Sequence, residues 1–177
     1  MVPGLNSNGE YFVSRDFKDF ANSEGFVIIA PSFAYDKENF KSQQSYQYPS
    51  VWSGDALLEI IEQFEENNGI ITSDLYLFGF SAGAQFSLRF CLWQPWLCVA
   101  CAAHGSGGYV IPDTYVDARF FVTVGERDTD RLDQANTFYS YATDLGIDVT
   151  YRKYNVGHGL SYDQIEDSIE FFESIEQ

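Results

Sequence analysis

Positive charge is scarce in this chain: 10 Lys and Arg stand against 26 Asp and Glu across 177 residues, a formal net charge of −16. Such a field repels phosphate backbones and anionic lipid headgroups, which excludes nucleic-acid binding as a general role. Cysteine is also rare. An odd count of three, Cys91, Cys98 and Cys101, gives no disulfide framework. Cys98 and Cys101 have C-x-x-C spacing, but with no second cysteine pair and only two histidines a zinc site would be short of ligands. The thiols are therefore expected to be buried and inert, and no metal is expected. No apolar run approaches the roughly 20 residues of a spanning helix, and Met1-Val2-Pro3-Gly4 lacks a basic start followed by an apolar stretch. The expectation is a soluble, cytoplasmic protein without a membrane span.

What the chain has in quantity is apolar and aromatic surface. Hydrophobic residues make up 45% and aromatics 18%, with 16 Phe and 12 Tyr, enough to bury a core and too apolar for a disordered chain. The length suits one domain over 1–177. No internal repeat or low-complexity linker interrupts it.

Short apolar runs alternate with amphipathic stretches. Val13, Phe17, Phe20 and Ala21 share one helical face, and Gly25 supplies a stop. Phe26-Val27-Ile28-Ile29-Ala30 reads as a strand covered on both faces, ended by Pro31. From Ser32 to about Ser50 the chain is polar and aromatic without period, a long loop carrying Tyr35, Phe40, Tyr46 and Tyr48. A helix then sets Leu57, Ile60, Ile61 and Phe64 on one face. Strands are expected at 75–78, 99–102, 120–124 and 149–151. Helices are expected from Gly79 through Cys91, around Ala135 to Ala142, and from Tyr162 to Phe172. Strands alternating with helices predict an α/β fold: a doubly wound, mostly parallel sheet in three α/β/α layers.

Reactive groups in such sheets gather at the carboxyl ends of the strands. Three of those ends carry chemistry. Gly79-Phe80-Ser81-Ala82-Gly83 is a G-x-S-x-G run between a strand and a helix, where a serine on a tight turn exposes its hydroxyl and the following amides favour negative charge. Val124-Gly125-Glu126-Arg127-Asp128 ends the next-to-last strand, offering Asp128 with Asp130 close behind. Either carboxylate could accept an imidazole N–H, and Asp128 is preferred. Gly157-His158-Gly159 follows the last strand, where a base is required. His104, before Gly105-Ser106-Gly107-Gly108, reads as a pocket or structural residue.

The order Ser81, Asp128, His158 at these strand ends resembles the α/β-hydrolase superfamily. Gly79 to Gly83, the Gly125-Glu126-Arg127-Asp128 turn and Gly157-His158-Gly159-Leu160-Ser161 resemble its carboxylesterase, phospholipase-like esterase and polyhydroxybutyrate-depolymerase or feruloyl-esterase-like group. The resemblance implies a serine esterase with catalytic Ser81, His158 and Asp128 and no cofactor, and the lack of a large lid insertion points to a small or short-chain ester as substrate. It also implies an oxyanion site made by the amides of Ala82 and Leu5. Pro3 stands where the group has His, and the first strands of the fold are absent ahead of Val2. Phe80, Tyr35, Tyr46 and Trp52 are expected to line the substrate pocket. An open sheet edge predicts a homodimer or a weakly stable monomer. The competing expectations are a hydrolase-fold binding or assembly module without turnover, and a thioesterase or polyester or feruloyl-ester depolymerase.

Overall fold

The structure is a computed structural model describing residues 1–5, 7–34, 38 and 44–176. Four strands, β1 (Leu75–Phe80), β2 (Cys98–His104), β3 (Arg119–Gly125) and β4 (Val149–Tyr154), form a parallel sheet in the order β1-β2-β3-β4. The helices are α1 (Gly9–Phe12), α2 (Arg15–Glu24), α3 (Gly54–Asn68), α4 (Ala82–Trp93), α5 (Thr129–Asp144) and α6 (Tyr162–Glu176). A π-helical turn at Pro49–Ser53 leads into α3.

β1, β2 and β3 are short apolar runs because both of their faces are covered, whereas β4 at the sheet edge has no fully buried residue. Alternation along the strands separates two cores. On one face Phe78, Ala100, Ala102 and Phe121 pack with Phe17 and Phe20 of α2 and Phe172 of α6. On the other, Leu77, Cys101, Phe120, Val122 and Val124 pack with Leu57 of α3, Phe86 and Phe90 of α4 and Phe138 of α5. The three expected α/β/α layers are present. Helix ends follow the sequence signals: Ser14 caps α2 by accepting from the Phe17 N–H, and Gly25 and Gly69 end α2 and α3 at φ 75° and 65°, where a Cβ would be strained.

Two expectations need correction. Residues 26–30 form no strand; their hydrogen bonds include the Ile29 carbonyl accepting from the Met1 amine at 2.7 Å. Val2 does pair, bridging Gly79 in parallel, with its N–H bonded to the Phe78 carbonyl at 2.8 Å. The apolar run 26–30 is thus explained by packing rather than by a ladder: Phe26 and Ile28 lie against the α2/α6 core and Ile29 against the other. The second correction is covalent. Cys91 at the end of α4 and Cys98 at the start of β2 are joined as a disulfide, with Cα atoms 5.1 Å apart. Cys101 lies three residues further along β2, roughly 10 Å at strand spacing and beyond bridging range. It is the buried free thiol, its pKa pushed up by burial.

Among the described residues no helix is long and apolar enough to cross a membrane.

Candidate active site

The register sets the site. Phe80 lies opposite His104, and His104 opposite Thr123, so the carboxyl ends of β1, β2 and β3 finish level, with the end of β4 beside Gly125. The segments leaving those strands meet on one rim.

Ser81 occupies the turn between β1 and α4 at φ 56°, ψ −113°, the one non-glycine residue with positive φ among those described. Such strain persists only where its surroundings enforce it. Here the Ser81 N–H donates to the His104 carbonyl at 2.9 Å. The Ser81 carbonyl accepts from the N–H groups of Gln85 (3.2 Å) and Gly107 (3.4 Å). The tightness also explains the flanking glycines: a Cβ on Gly79 would overlap the Gly83 carbonyl, and one on Gly83 the Val2 carbonyl.

Asp128 ends the turn after β3 and immediately precedes α5, with its side chain 5% exposed. Asp130 has its side chain 83% exposed and pairs with Arg131, which settles which carboxylate faces inward. The Asp128 turn is laced to the loop after β4: Glu126 N–H donates to the Tyr154 carbonyl at 2.8 Å and Arg127 N–H to the Val156 carbonyl at 3.0 Å. Gly125 allows that approach, since a Cβ there would collide with the Val156 and Gly157 carbonyls.

His158 connects the two. Its Nδ1 is 2.6 Å from Asp128 Oδ2 and its Nε2 is 3.0 Å from Ser81 Oγ. Phe80 stacks on the imidazole with ring centroids 5.0 Å apart. The Ser81–His158 bond lies at the surface, within reach of a dissolved molecule.

The other expected site residues divide. Ala82 opens α4, so its N–H belongs to the unpaired first turn. Leu5 follows Gly4, whose Cβ position lies 3.3 Å from Ser81 Cβ, so the 2–5 segment runs beside the serine. Tyr46 is buried, stacks on Phe33 and donates its hydroxyl to the Pro3 carbonyl at 3.3 Å, holding that segment in place. Trp52 meets Phe33 edge-on and donates to the Gln44 carbonyl at 2.7 Å. Tyr35, like Phe40, lies outside the described residues. A cavity of about 370 Å³ lies away from Ser81, lined by Met1, Phe17, Phe26, Leu57, Leu75 and Phe78 among others. Among the described residues no cluster of three or more His, Cys, Asp and Glu could hold a metal ion.

No protein-family model and no curated protein matches the sequence. Solved structures do resemble the fold. A Bacillus cereus carboxylesterase superposes with a TM-score of 0.71 at 14% identity, covering 98% of this chain and 86% of its own. S-formylglutathione hydrolase from Staphylococcus aureus gives 0.72 at 12% identity, with 99% and 79% covered. A poly(3-hydroxybutyrate) depolymerase from Bordetella parapertussis gives 0.69 at 18%, with 98% and 77% covered.

The chain has the α/β-hydrolase fold.

The strand-to-helix turn after β1 presents Ser81 at the rim. Sequence reading finds the three rim residues and reads His104 as a pocket or structural residue, but misses its partners Thr123, Gln164 and Ser168. His104 is fully buried, with its pKa lowered to about 3 because burial disfavours the imidazolium.

Proposed function

We propose that the protein is a serine hydrolase of small carboxylic esters. The observation that carries this reading is the His158 ring spanning Ser81 Oγ at 3.0 Å and Asp128 Oδ2 at 2.6 Å, with Ser81 on a strained turn at a helix N-terminus. Nothing in helix capping calls for that combination: Ser81 makes no side-chain cap bond, so its hydroxyl serves the imidazole instead.

In the proposed cycle Asp128 accepts the Nδ1–H of His158, which leaves Nε2 as the base facing Ser81. His158 takes the hydroxyl proton as Ser81 Oγ attacks the ester carbonyl, then returns it to the departing alcohol. Water, activated by the same imidazole, releases the acid from the acyl-enzyme. Charge on the tetrahedral oxygen falls to the Ala82 N–H at the start of α4 and to the Leu5 N–H. The Leu5 assignment is supported by Gly4 packed against Ser81 and by the Tyr46 hydroxyl on Pro3. Each such donor is worth about 2.7–4 kcal/mol in the transition state. No step calls for a metal or an organic cofactor.

The substrate is proposed to be short. Gly107 lies over the serine, a Cβ there coming within 3.9 Å of Ser81 Oγ, so the acyl side is confined by the 105–108 loop. Thioesters and polyesters form the second reading, favoured by the hydrolase and depolymerase among the similar structures. A panel of p-nitrophenyl esters from acetate to laurate, with an acyl thioester and an oligomeric hydroxybutyrate alongside, tests both readings. Turnover is expected to peak at acetate or butyrate and to fall about 10⁶-fold in Ser81→Ala. Equal turnover by folded Ser81→Ala would overturn the proposal.

A further inference from the structure

Beneath the rim lies a closed circuit of buried polar groups that the proposed cycle does not use. His104 Nδ1 is 2.7 Å from Thr123 Oγ1, and His104 Nε2 is 3.0 Å from Ser168 Oγ. Gln164 Nε2 donates to Thr123 Oγ1 at 2.6 Å, and Ser168 Oγ donates to the Gln164 carbonyl at 2.6 Å. Gln164 Oε1 accepts from the Ser161 N–H at 2.9 Å and the Ser161 hydroxyl at 3.1 Å. His104, Thr123, Gln164 and Ser168 are each no more than 1% exposed.

Counting protons fixes the directions. The single hydroxyl proton of Ser168 goes to the Gln164 carbonyl, so Ser168 accepts from His104 Nε2–H. Nδ1 is then an acceptor, and the Thr123 hydroxyl donates to it while accepting from Gln164. Each hydroxyl and imidazole hydrogen of the circuit then has one acceptor, and the imidazole is neutral.

The circuit ties together the two halves of the proposed site. The backbone carbonyl of His104 receives the Ser81 N–H at 2.9 Å, and the next N–H, that of Gly105, donates to the Thr123 carbonyl at 2.8 Å. The side chain of His104 reaches α6, whose start is bonded to Ser161, three residues after His158. The base loop packs through the Phe80 stack on His158, the Leu160 side chain and the approach of Gly125 to Val156 and Gly157, while Gly157 and Gly159 leave open space around their Cβ positions. Its anchors lie at its two ends: the Arg127 N–H on the Val156 carbonyl before His158, and the Ser161–Gln164 pair after it.

We infer that His104 is a positioning residue: with Thr123, Gln164 and Ser168 it fixes the distance between the turn carrying Ser81 and the loop carrying His158. The inference rests on the reading of those two side chains as nucleophile and base. A rim bond of 3.0 Å between surface groups is set by what lies beneath it, and a misplacement of about 1 Å can cost about 100-fold in rate.

The test is Thr123→Val, which keeps the shape of the side chain and removes the hydroxyl shared by His104 and Gln164. With p-nitrophenyl acetate, kcat per fluorophosphonate-titrated site is expected to fall about tenfold or more while KM changes by less than about twofold. Thr123→Ser restores the hydroxyl and is expected to restore kcat. Phe138→Leu, in the core across the sheet against Phe120, lowers the melting temperature without lowering kcat. Should Thr123→Val fail to fold, Ser168→Ala, which strands the Nε2–H alone, carries the same expectation. Wild-type turnover with undiminished kcat in whichever of these two variants carries the test, whatever its melting temperature, would overturn the inference and leave the proposed function standing. Wild-type protein that neither labels nor turns over would overturn that function and the inference with it.

Discussion

Acid should destabilise this protein through His104. The ring is fully buried and neutral in the fold, with its pKa lowered from 6.5 to about 3, whereas in the unfolded chain it takes a proton below pH 6.5. Between those values the unfolded state binds the extra proton, so stability is complete above about pH 6.5 and is lost progressively as pH falls toward 3. At 1.36 kcal/mol per pH unit the loss reaches about 2 kcal/mol by pH 5 and approaches about 5 kcal/mol at the bottom of the window. Urea unfolding of the wild type and of His104→Gln, measured at half-unit steps from pH 8 to 4.5, isolates this contribution because titrations common to both proteins cancel in the difference. His104→Gln should be less stable at pH 8 and should close the gap by about 2 kcal/mol by pH 5. Parallel stability curves would refute the assignment of a neutral, doubly bonded imidazole at this position.

Three further outcomes are expected. Asp128→Asn should lower kcat by about 10⁴-fold, because the imidazole loses the partner that sets its tautomer, while Asp130→Asn should change ester turnover by less than about twofold. Gly83→Ala should cost more than about 2 kcal/mol in urea unfolding, because the new methyl displaces the Val2 carbonyl and with it the segment beside Ser81. The Cys91–Cys98 disulfide closes only a short loop, so its reduction is expected to cost about 2.5 kcal/mol, read as a lowered melting temperature in dithiothreitol and matched by Cys91→Ala.

The parts of the fold written in the sequence are those decided by local pattern. Strands β1, β2 and β3 each coincide with an expected apolar run, because a strand covered on both faces needs apolar side chains in succession; β4, expected at 149–151, is an edge strand of half-buried and exposed residues. Residues 26–30 carry a similar pattern without the ladder: Phe26, Ile28 and Ile29 are half-buried against the cores and Val27 is exposed, and pairing depends on which backbone lies alongside. The rim residues were legible for a similar reason, since Ser81, Asp128 and His158 each follow a strand closely. The sequence favours Asp128 over Asp130, and the turn points that carboxylate at the imidazole while leaving the other in solvent. The His104 circuit was not legible. Its partners lie 19 and 64 residues away and come together only through the β2–β3 register and the face that α6 turns to the sheet. The Cys91–Cys98 bridge was hidden in the same way, by a turn that returns the end of α4 to the start of β2. The C-x-x-C spacing drew the eye to a pair that an extended strand holds apart.

The central claim is that the Ser81 hydroxyl is an activated nucleophile. Incubation of the folded protein with a fluorophosphonate, followed by peptide mass mapping, asks this directly. The account predicts one adduct per chain on the peptide carrying Ser81, slowed strongly in His158→Gln and absent in Ser81→Ala. An unlabelled wild type, or an adduct on any other serine with Ser81 untouched, would contradict it.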